Sequence, residues 1–413
     1  MLEDFVGPAA ARRLRSWVSG DHAEPFCARL VELGYTHATI RHKLWTISVA
    51  ARWMAAQHSS IRDLNESRVE QFWKARRKLG RTCRGLRGTL LLLLEYLRSV
   101  GAVRARERTT NDSPMDALLA RYEEHLRQER ALAETTIAGY LPFARACIAE
   151  HLDGGAAPPS CLRPEDIRAF LLARVRHMVP KRAQFMGTAL RSLLRYLFLR
   201  GETGTDLSLA VPTVRQWRLS SVPRHLSARD VERLLRACDR SSGTGRRDHA
   251  ILLLLARLGL RASEIVTLEL GDLRWREGEI VVRGKGLARD RLPLIHDVGK
   301  SLSMYLKKDR APGSSRRVFL CRRAPYRGFA HPSTVSTIVA KALIRAGLAP
   351  ATHGAHLLRH SLATTMIRRG ASLAEIGQVL RHRSPNTTEI YAKLDFGALR
   401  EVAMPWPTSR GVR

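Results

Sequence analysis

The chain has 413 residues and a formal net charge of +32, from 70 lysines and arginines against 38 acidic residues. Its 45% of hydrophobic residues can form a sizeable core, which excludes a wholly disordered chain. The positive excess indicates a polyanionic partner, and nucleic acid is the natural one because each neutralised phosphate releases condensed counterions. A basic ribosomal or membrane-surface protein would carry the same charge, so the charge indicates a class of partner and no reaction.

Cysteine spacing and apolar runs bear on the cellular location. No Cys-x-x-Cys pair occurs, which argues against a zinc finger or disulfide framework and fits a reducing cytosol. The longest apolar runs, 90–94 and 251–256, are too short to span a bilayer, and residues 1–4 do not begin a signal peptide. The preponderance of arginine over lysine is typical of GC-rich bacterial genomes. We therefore expect a cytoplasmic, nucleoid-associated bacterial protein without a membrane partner.

Two polar stretches interrupt the helical periodicity and are interpreted as linkers. One covers 101–114, and the other extends from about residue 201 to residue 223. They divide the chain into three predicted domains, 1–105, 112–205 and 222–413. The predicted fold is mainly α: two helical bundles are followed by a mixed α/β domain that carries a small β-hairpin sheet.

The first two domains share three landmarks in the same order, which suggests an internal duplication. The offsets between the copies are 97, 98 and 100 residues, for the pairs 38–40 and 135–137, 64–69 and 162–167, and 94–101 and 194–201. The alternative is that small helical bundles generally have Leu-rich helices that end in glycine.

Each copy also contains a basic helical stretch late in its sequence. Few acidic residues accompany these cations, which favours a surface that follows DNA phosphates over an ordinary solvated face. The predicted DNA-binding residues are Arg76, Arg77 and Lys78 in the first copy, and Lys181, Arg182, Arg191 and Arg195 in the second.

The third domain opens with a helix-capping signal. Ser227 and Asp230 have capping-box spacing and predict a helix that continues through Cys238. A buried helix is predicted at 248–258, and another begins at residue 263.

A β-hairpin signal follows. Residues 279–283 alternate around β-branched side chains, 284–286 form a Gly-Lys-Gly turn, and 291–295 return. The remaining sequence to Tyr391 is predicted to be helical with short turns.

Five short motifs in this domain could together cleave a phosphodiester. Such a reaction needs a nucleophile, cations around the non-bridging oxygens and an acid for the leaving oxygen. In chain order the motifs are LGLRASE at 258–264, GKG at 284–286, HLLRH at 356–360, LRH at 380–382 and TTEIY at 387–391.

In this order, the motifs resemble the boxes of the tyrosine recombinases, the phage-integrase family. The resemblance is strong over 224–400 and weaker over 113–200, which is similar to the family's core-binding, DNA-grasping helical domain. It implies that 222–413 is the catalytic domain and that 1–105 is a further core-binding-like unit.

The resemblance also implies the catalytic roles. Arg261 and Arg359 would bind one phosphate, since a guanidinium fork donates two hydrogen bonds and keeps its charge. Lys285 would protonate the leaving 5′-oxygen, His382 would donate a hydrogen bond to a phosphate oxygen, and Tyr391 would attack phosphorus. For each of these residues, the alternative is an ordinary surface or packing role.

Three neighbouring residues complete the predicted site. His356 precedes Arg359 by three positions, so both lie on one helical face. Glu264 and His360 are expected to support the residues that touch DNA. A 3′-phosphotyrosine conserves the energy of the broken bond, so we expect no ATP, metal or other cofactor, consistent with the lack of a Walker-type loop.

One residue departs from the family pattern. The family commonly has glycine before its last histidine, where this chain has Arg381. If that turn requires a positive φ, an arginine there should cost about 1 kcal/mol or more.

Two other functions would use a similar sequence. A type IB topoisomerase-like enzyme shares the chemistry but relaxes DNA without pairing two sites, and a non-catalytic DNA-binding accessory protein would need no nucleophile. The integrase-type motifs favour recombination of double-stranded DNA. The resemblance then implies a homo-tetramer on paired sites, alone or together with partner recombinases.

An apolar set follows Tyr391 and could contact another subunit. Its members either pack on their own domain or dock on a neighbouring protomer, and we favour docking; they are Phe396, Leu399, Val402, Met404 and Trp406.

Overall fold

The structure is a computed structural model that describes residues 1–18, 20–80, 85–104, 113–152, 157–214, 223–284, 289–313 and 315–394. It contains two compact units: residues 1–96 together with 221–413, and residues 97–220. The predicted Lys285 and the apolar set after Tyr391 lie outside the described residues. No helix in the described part of the chain is long and apolar enough to cross a membrane.

The N-terminal segment is a bundle of amphipathic helices. Its core includes Leu30, Ile40, Leu44 and Leu93, each at most 2% exposed. Asn65 begins the fifth helix by accepting a hydrogen bond from the N–H of Arg68, as expected of an N-cap. The helices are α1 Leu2–Phe5, α2 Pro8–Trp17, α3 Gly20–Glu32, α4 His37–Ala55, α5 Glu66–Lys78 and α6 Leu86–Ser99.

The second unit is a four-helix arrangement closed by a short 3₁₀ turn at Leu207–Ala210. Three of its helices start with proline, whose missing N–H is harmless at a first helical position. Tyr122, Ile137, Phe170 and Leu190 are at most 1% exposed in its core. The helices are α7 Pro114–Gln128, α8 Glu134–His151, α9 Pro164–Val175 and α10 Pro180–Leu199.

The two helical segments follow the same plan. Helices α4 and α8 start at residues 37 and 134, and helices α5 and α9 start at residues 66 and 164. After the last helix of each segment, Gly101 and Gly201 have φ of 72° and 70°. The aromatic pairs Phe26–Tyr96 and Tyr122–Tyr196 have ring centroids 5.2 and 5.3 Å apart. This correspondence supports our interpretation that the segments are copies of one unit.

The C-terminal segment packs helices around α12, which is buried along most of its length. The capping signal is confirmed, since Ser227 accepts a hydrogen bond from the N–H of Asp230. That helix ends at Arg236, before Cys238, and Ser242 caps the next one at an earlier position than predicted. The helices are α11 Ala228–Arg236, α12 Gly243–Arg257, α13 Ala262–Thr267, α14 His296–Lys308, α15 Ser333–Arg345, α16 His356–Arg368, α17 Leu373–Val379 and α18 Pro385–Thr388.

A three-stranded antiparallel sheet, in the order β1-β2-β3, confirms the predicted mixed character of this segment. The strands are β1 Leu273–Arg274, β2 Glu279–Arg283 and β3 Arg289–Pro293. The returning strand starts and ends two residues earlier than predicted. Its last residue, Pro293, pairs with Glu279, while Ile295 is the N-cap of α14. The two-residue strand β1 was too short to show an alternating pattern.

Two tyrosines of the C-terminal segment pack against other parts of the protein. Tyr305 is 3% exposed and stacks on Phe319 with ring centroids 5.7 Å apart. Tyr326 lies against Gly34, where an added Cβ would be 2.6 Å from the tyrosine ring. Gly34 therefore makes room for this ring at the N-terminal helices.

Core packing in the second unit predicts a contrast within α10. Leu193 is 1% exposed and Leu199 is 67% exposed. Leu193→Ala should lower the free energy of unfolding of this unit by about 2–5 kcal/mol through lost burial and a residual cavity, and Leu199→Ala by less than about 0.5 kcal/mol. Hydrogen exchange of α7–α10 amides in rising urea measures both, and equal effects would contradict the core assignment.

Candidate active site

Helix α16 presents three predicted residues, His356, Arg359 and His360, in its first two turns. Arg359 is 3% exposed, and its two terminal nitrogens donate to the carbonyl oxygens of Gly259 and Leu380. One guanidinium thus fixes the loop after α12 and the end of α17 against α16. Burial and the charges of neighbouring arginines lower the pKa of Arg359 to about 10, so it remains protonated at pH 7.

Steric constraints explain why the first motif has glycine at position 259. Gly259 has φ of 59°, and a Cβ there would lie 2.7 Å from Cδ2 of Leu380 and 3.1 Å from Cδ2 of Leu362. A side chain would therefore be strained by its backbone conformation and would also collide with its neighbours. This close approach sets Arg261, two residues later, beside α17.

Arg261, Glu264 and Arg381 form an ion cluster next to Arg359. The N–H and Nη1 of Arg261 donate to the Glu264 carboxylate, both at 2.8 Å, and Nη2 of Arg381 donates to the same carboxylate at 2.8 Å. Burial would raise the pKa of Glu264, but the charge of Arg381 and the hydrogen bonds from Arg261 outweigh it and lower the pKa. The side chain of Arg261 is 33% exposed, and those of Glu264 and Arg381 are 3% and 5% exposed.

The residue that departs from the family pattern does adopt the left-handed conformation. Arg381 has φ of 54°, the geometry that glycine would occupy without strain. The backbone cost of about 1 kcal/mol or more is offset by its contact with Glu264 and by an N–H bond of 3.0 Å to the carbonyl of Gln378. We predicted the penalty from the sequence, but the contact that offsets it became visible only in the fold.

Tyr391 lies in the 3₁₀ turn Glu389–Leu394, with its ring 1% exposed in a small apolar cluster. The cluster is separate from the main core and includes Ala363, Ile367, Ile376, Leu380 and Leu394. Burial raises the pKa of Tyr391 to about 12, although the nearby Arg359 acts in the opposite direction. The phenol is therefore neutral at pH 7.

Two histidines flank the phenol. The Tyr391 hydroxyl is 2.7 Å from Nδ1 of His360, and the His382 ring lies parallel to the tyrosine ring with centroids 6.5 Å apart. His382 is positioned by a 2.7 Å hydrogen bond between its Nδ1 and the hydroxyl of Thr388. Burial, followed by neighbouring positive charges, lowers the pKa of both histidines to about 4, so both rings are neutral at pH 7.

The fold thus gathers most of the predicted catalytic residues and adds two that were not assigned a role from the sequence, Thr388 and Arg381. His360, expected to support the residues that touch DNA, bonds the tyrosine hydroxyl directly. His356 has its ring centroid 6.2 Å from that of His360. A histidine four residues after His356, on the same helical face, was the available signal for His360.

The predicted DNA-binding residues have different environments. Arg77 in the last turn of α5 lies 5.4 Å from the centre of the Trp73 ring, a cation–π geometry. Lys181 and Arg182 lie exposed in the first turn of α10. Arg191 donates to the carbonyls of Val211 and Pro212 at 3.2 and 3.0 Å.

Arg191 therefore holds the chain that follows the 3₁₀ turn Leu207–Ala210 against α10, whatever further contact it makes. The remaining predicted residues, Arg76, Lys78 and Arg195, stay predictions as DNA contacts.

Comparisons with known proteins identify the family of this chain. The phage integrase family model matches residues 224–397. The chain is 42% identical over 384 residues to a candidate integrase/recombinase of Sinorhizobium fredii, y4rA, and the match covers 93% of each protein. It is 30% identical over 302 residues to the tyrosine recombinase XerD of Listeria monocytogenes, covering 70% of this chain and 97% of that protein.

Solved structures show the same fold. A lambda integrase tetramer bound to a Holliday junction has a TM-score of 0.53 at 17% identity, covering 79% of this chain and 90% of that chain. XerH recombinase bound to its difH substrate after cleavage has a TM-score of 0.51 at 19% identity, covering 70% of this chain and 96% of that chain. The chain belongs to the tyrosine recombinases of the phage integrase family, which are DNA breaking–rejoining enzymes of site-specific recombination.

The ion cluster predicts the effect of removing its only acidic member. Glu264→Gln should lower the free energy of unfolding at pH 7 by about 3–5 kcal/mol, because two guanidiniums lose their buried counter-charge. The pKa of Glu264 is lowered from 4.5 on folding, so its contribution is present above about pH 4.5 and is lost as the pH falls through the folded value. Urea unfolding at pH 7 and pH 3 should show the difference shrinking with acid.

Glu375→Gln is the matched control, because Glu375 is an exposed capping residue in the same segment. It should change stability far less at pH 7. A Glu264→Gln protein as stable as this control would show that the cluster does not need its carboxylate.

Proposed function

We propose that Tyr391 cleaves one strand of double-stranded DNA during site-specific recombination. Its phenolate oxygen attacks a backbone phosphorus, a 3′-phosphotyrosyl bond forms, and the bond to the 5′-oxygen breaks, releasing a 5′-hydroxyl. Attack by the 5′-hydroxyl of a partner strand reverses these steps and frees the tyrosine. The number of phosphoester bonds is conserved, so the exchange is balanced without a high-energy cofactor.

The observation that carries this proposal is the position of the phenol. The Tyr391 hydroxyl is 2.7 Å from His360, on the helix that also carries Arg359, and its ring lies parallel to that of His382. Residues from two other motifs therefore flank the phenol, a geometry expected of an activated nucleophile.

The neighbouring groups supply the proton acceptor, the positive charge and the acid that this reaction needs. In a neutral His360 ring with its proton on Nε2, Nδ1 accepts a hydrogen bond from the phenol and can receive its proton. Arg261, the most exposed guanidinium of the ion cluster, binds a non-bridging phosphate oxygen, and the buried Arg359 adds positive charge beneath it. Lys285 protonates the leaving oxygen, a role that rests on the resemblance of its motif.

Cleavage also requires a movement of the nucleophile. The Tyr391 ring is 1% exposed, so a DNA phosphate cannot reach its hydroxyl while the 3₁₀ turn Glu389–Leu394 keeps this position. We infer that DNA binding shifts this turn and exposes the phenol. A tyrosine with its pKa raised and its hydroxyl covered is protected from reacting before DNA is bound.

The assembly and cellular location belong to the same proposal. Strand exchange joins two duplexes, and a lambda integrase binds a Holliday junction as a tetramer. We therefore propose a homo-tetramer on paired sites, alone or with partner recombinases. The two helical copies would grasp DNA through their basic helices, with the first extending the contacted site. The protein would act in the bacterial cytoplasm at the nucleoid, and residues after 394 would dock on a neighbouring protomer.

Replacing the nucleophile separates binding from chemistry. Tyr391→Phe should keep DNA affinity within about two-fold and abolish the SDS-resistant covalent complex, because only the attacking oxygen is lost. The measurement is footprinting with adduct mapping on DNA that flanks the gene, which also identifies the cleaved phosphate. Tyr305→Phe, a second buried tyrosine of the same segment, is the control and should leave the adduct unchanged.

An adduct that persists in the Tyr391→Phe protein would identify a different nucleophile. Relaxation of a plasmid that lacks the mapped site, at a rate equal to that of a plasmid containing it, would favour the topoisomerase alternative.

Removing the exposed guanidinium should slow chemistry. Arg261→Ala is expected to lower the single-turnover cleavage rate by about 10²–10³, equivalent to about 2.7–4 kcal/mol of transition-state stabilisation. Arg257→Ala is the matched control, because Arg257 pairs at the surface with Glu232 and Asp297. If both variants cleave equally fast, Arg261 is not a phosphate ligand.

A further inference from the structure

A buried arginine occupies a backbone conformation that favours glycine. Among the described residues, three besides glycine have positive φ: His58 at 51°, Ala131 at 46° and Arg381 at 54°. His58 and Ala131 are exposed, whereas the Arg381 side chain is 5% exposed. A strained conformation persists when the surrounding contacts determine it, and such residues are concentrated at functional sites.

The contacts of Arg381 join two segments of the candidate active site. Its Nη2 donates to Glu264 at 2.8 Å, and its Nη1 is 3.4 Å from the carbonyl oxygen of Leu258. In return, its own carbonyl oxygen accepts a 3.3 Å hydrogen bond from Nη2 of Arg261. The guanidinium and the strained backbone therefore both act on the motif that carries Arg261.

A third contact reaches the sheet. Nε of Arg381 is 3.9 Å from a carboxylate oxygen of Asp290, in strand β3. That strand follows the connection that contains the predicted Lys285. Arg381 is thus in contact with the first arginine motif and with the hairpin, while it directly precedes His382.

Charge counting shows what the extra guanidinium changes. Without Arg381, Glu264 would neutralise Arg261 as a closed pair and leave Arg359 as the remaining positive charge of the cluster. With Arg381, the three guanidiniums and the Glu264 carboxylate carry a net charge of about +2, and the more exposed Asp290 carboxylate, 3.9 Å from Nε of Arg381, offsets part of it. A phosphodiester carries one negative charge, and a second develops as the nucleophile adds, so the surplus falls where the transition state needs it.

We propose that Arg381 is a positioning residue for strand cleavage: it shares Glu264 with Arg261, so that this carboxylate no longer neutralises Arg261 fully and more of its positive charge is available to the phosphate. This inference rests on the proposed function of the site. Arg381 acts through Arg261 because its own side chain is covered. A glycine would relieve the backbone and remove this charge, so the arginine serves the reaction at the expense of local strain.

The test compares charge-free and charged side chains at position 381. The probe is a nicked duplex that spans the phosphate mapped for the wild-type protein, and the readouts are its dissociation constant, the single-turnover rate of adduct formation and the melting temperature. R381G and R381M should lower the rate about 10–100-fold and leave the dissociation constant within two-fold, because the side chain is covered. R381K keeps the charge and should restore most of the rate.

His58→Gly is the matched control for backbone relief, since His58 has nearly the same φ on an exposed surface. It should leave the cleavage rate unchanged. If R381G does not fold, the comparison of R381M with R381K decides. Cleavage by folded R381G or R381M within two-fold of wild type overturns the inference, as does a folded R381K no faster than R381M. A wild-type protein that forms no adduct at Tyr391 would instead refute the proposed function.

Discussion

The buried guanidinium of Arg359 is the contact on which the rest of the site depends. By donating to the carbonyls of Gly259 and Leu380, it joins its own helix to two chain segments that are 100 and 21 residues away from it in sequence. A charged group at 3% exposure is tolerated only when its donors are satisfied, and these carbonyls satisfy two of them. The motifs for the first arginine and the last histidine are therefore both fixed to the helix that carries Arg359.

Burial in this centre selects the protonation states that the chemistry needs. The same low polarity that lowers the pKa of His360 and His382 to about 4 raises the pKa of Tyr391 to about 12. Neutral imidazoles can accept a proton, and a neutral phenol is a weak nucleophile. Positive charge is kept on arginines, whose ordinary pKa is high enough to survive burial.

The motif resemblance named residues that the fold brings together. Arg261, Arg359, His382 and Tyr391 were predicted from motifs that resemble the recombinase boxes, and the fold places these residues around one hydroxyl and one ion cluster. Contacts that depend on tertiary packing could not be predicted in this way. His360 was expected to support the residues that touch DNA, and no pattern showed that its Nδ1 would lie 2.7 Å from the tyrosine hydroxyl.

The sequence by itself determined the class of partner, the family, the mainly helical fold and most candidate catalytic residues, because charge, periodicity and motif spacing are local properties. It also indicated strain at Arg381, since left-handed backbone is costly for any residue with a Cβ. Only the tertiary structure decided that this arginine binds Glu264 and that the phenol is covered. Both outcomes depend on contacts between segments distant in the chain, which no local pattern encodes.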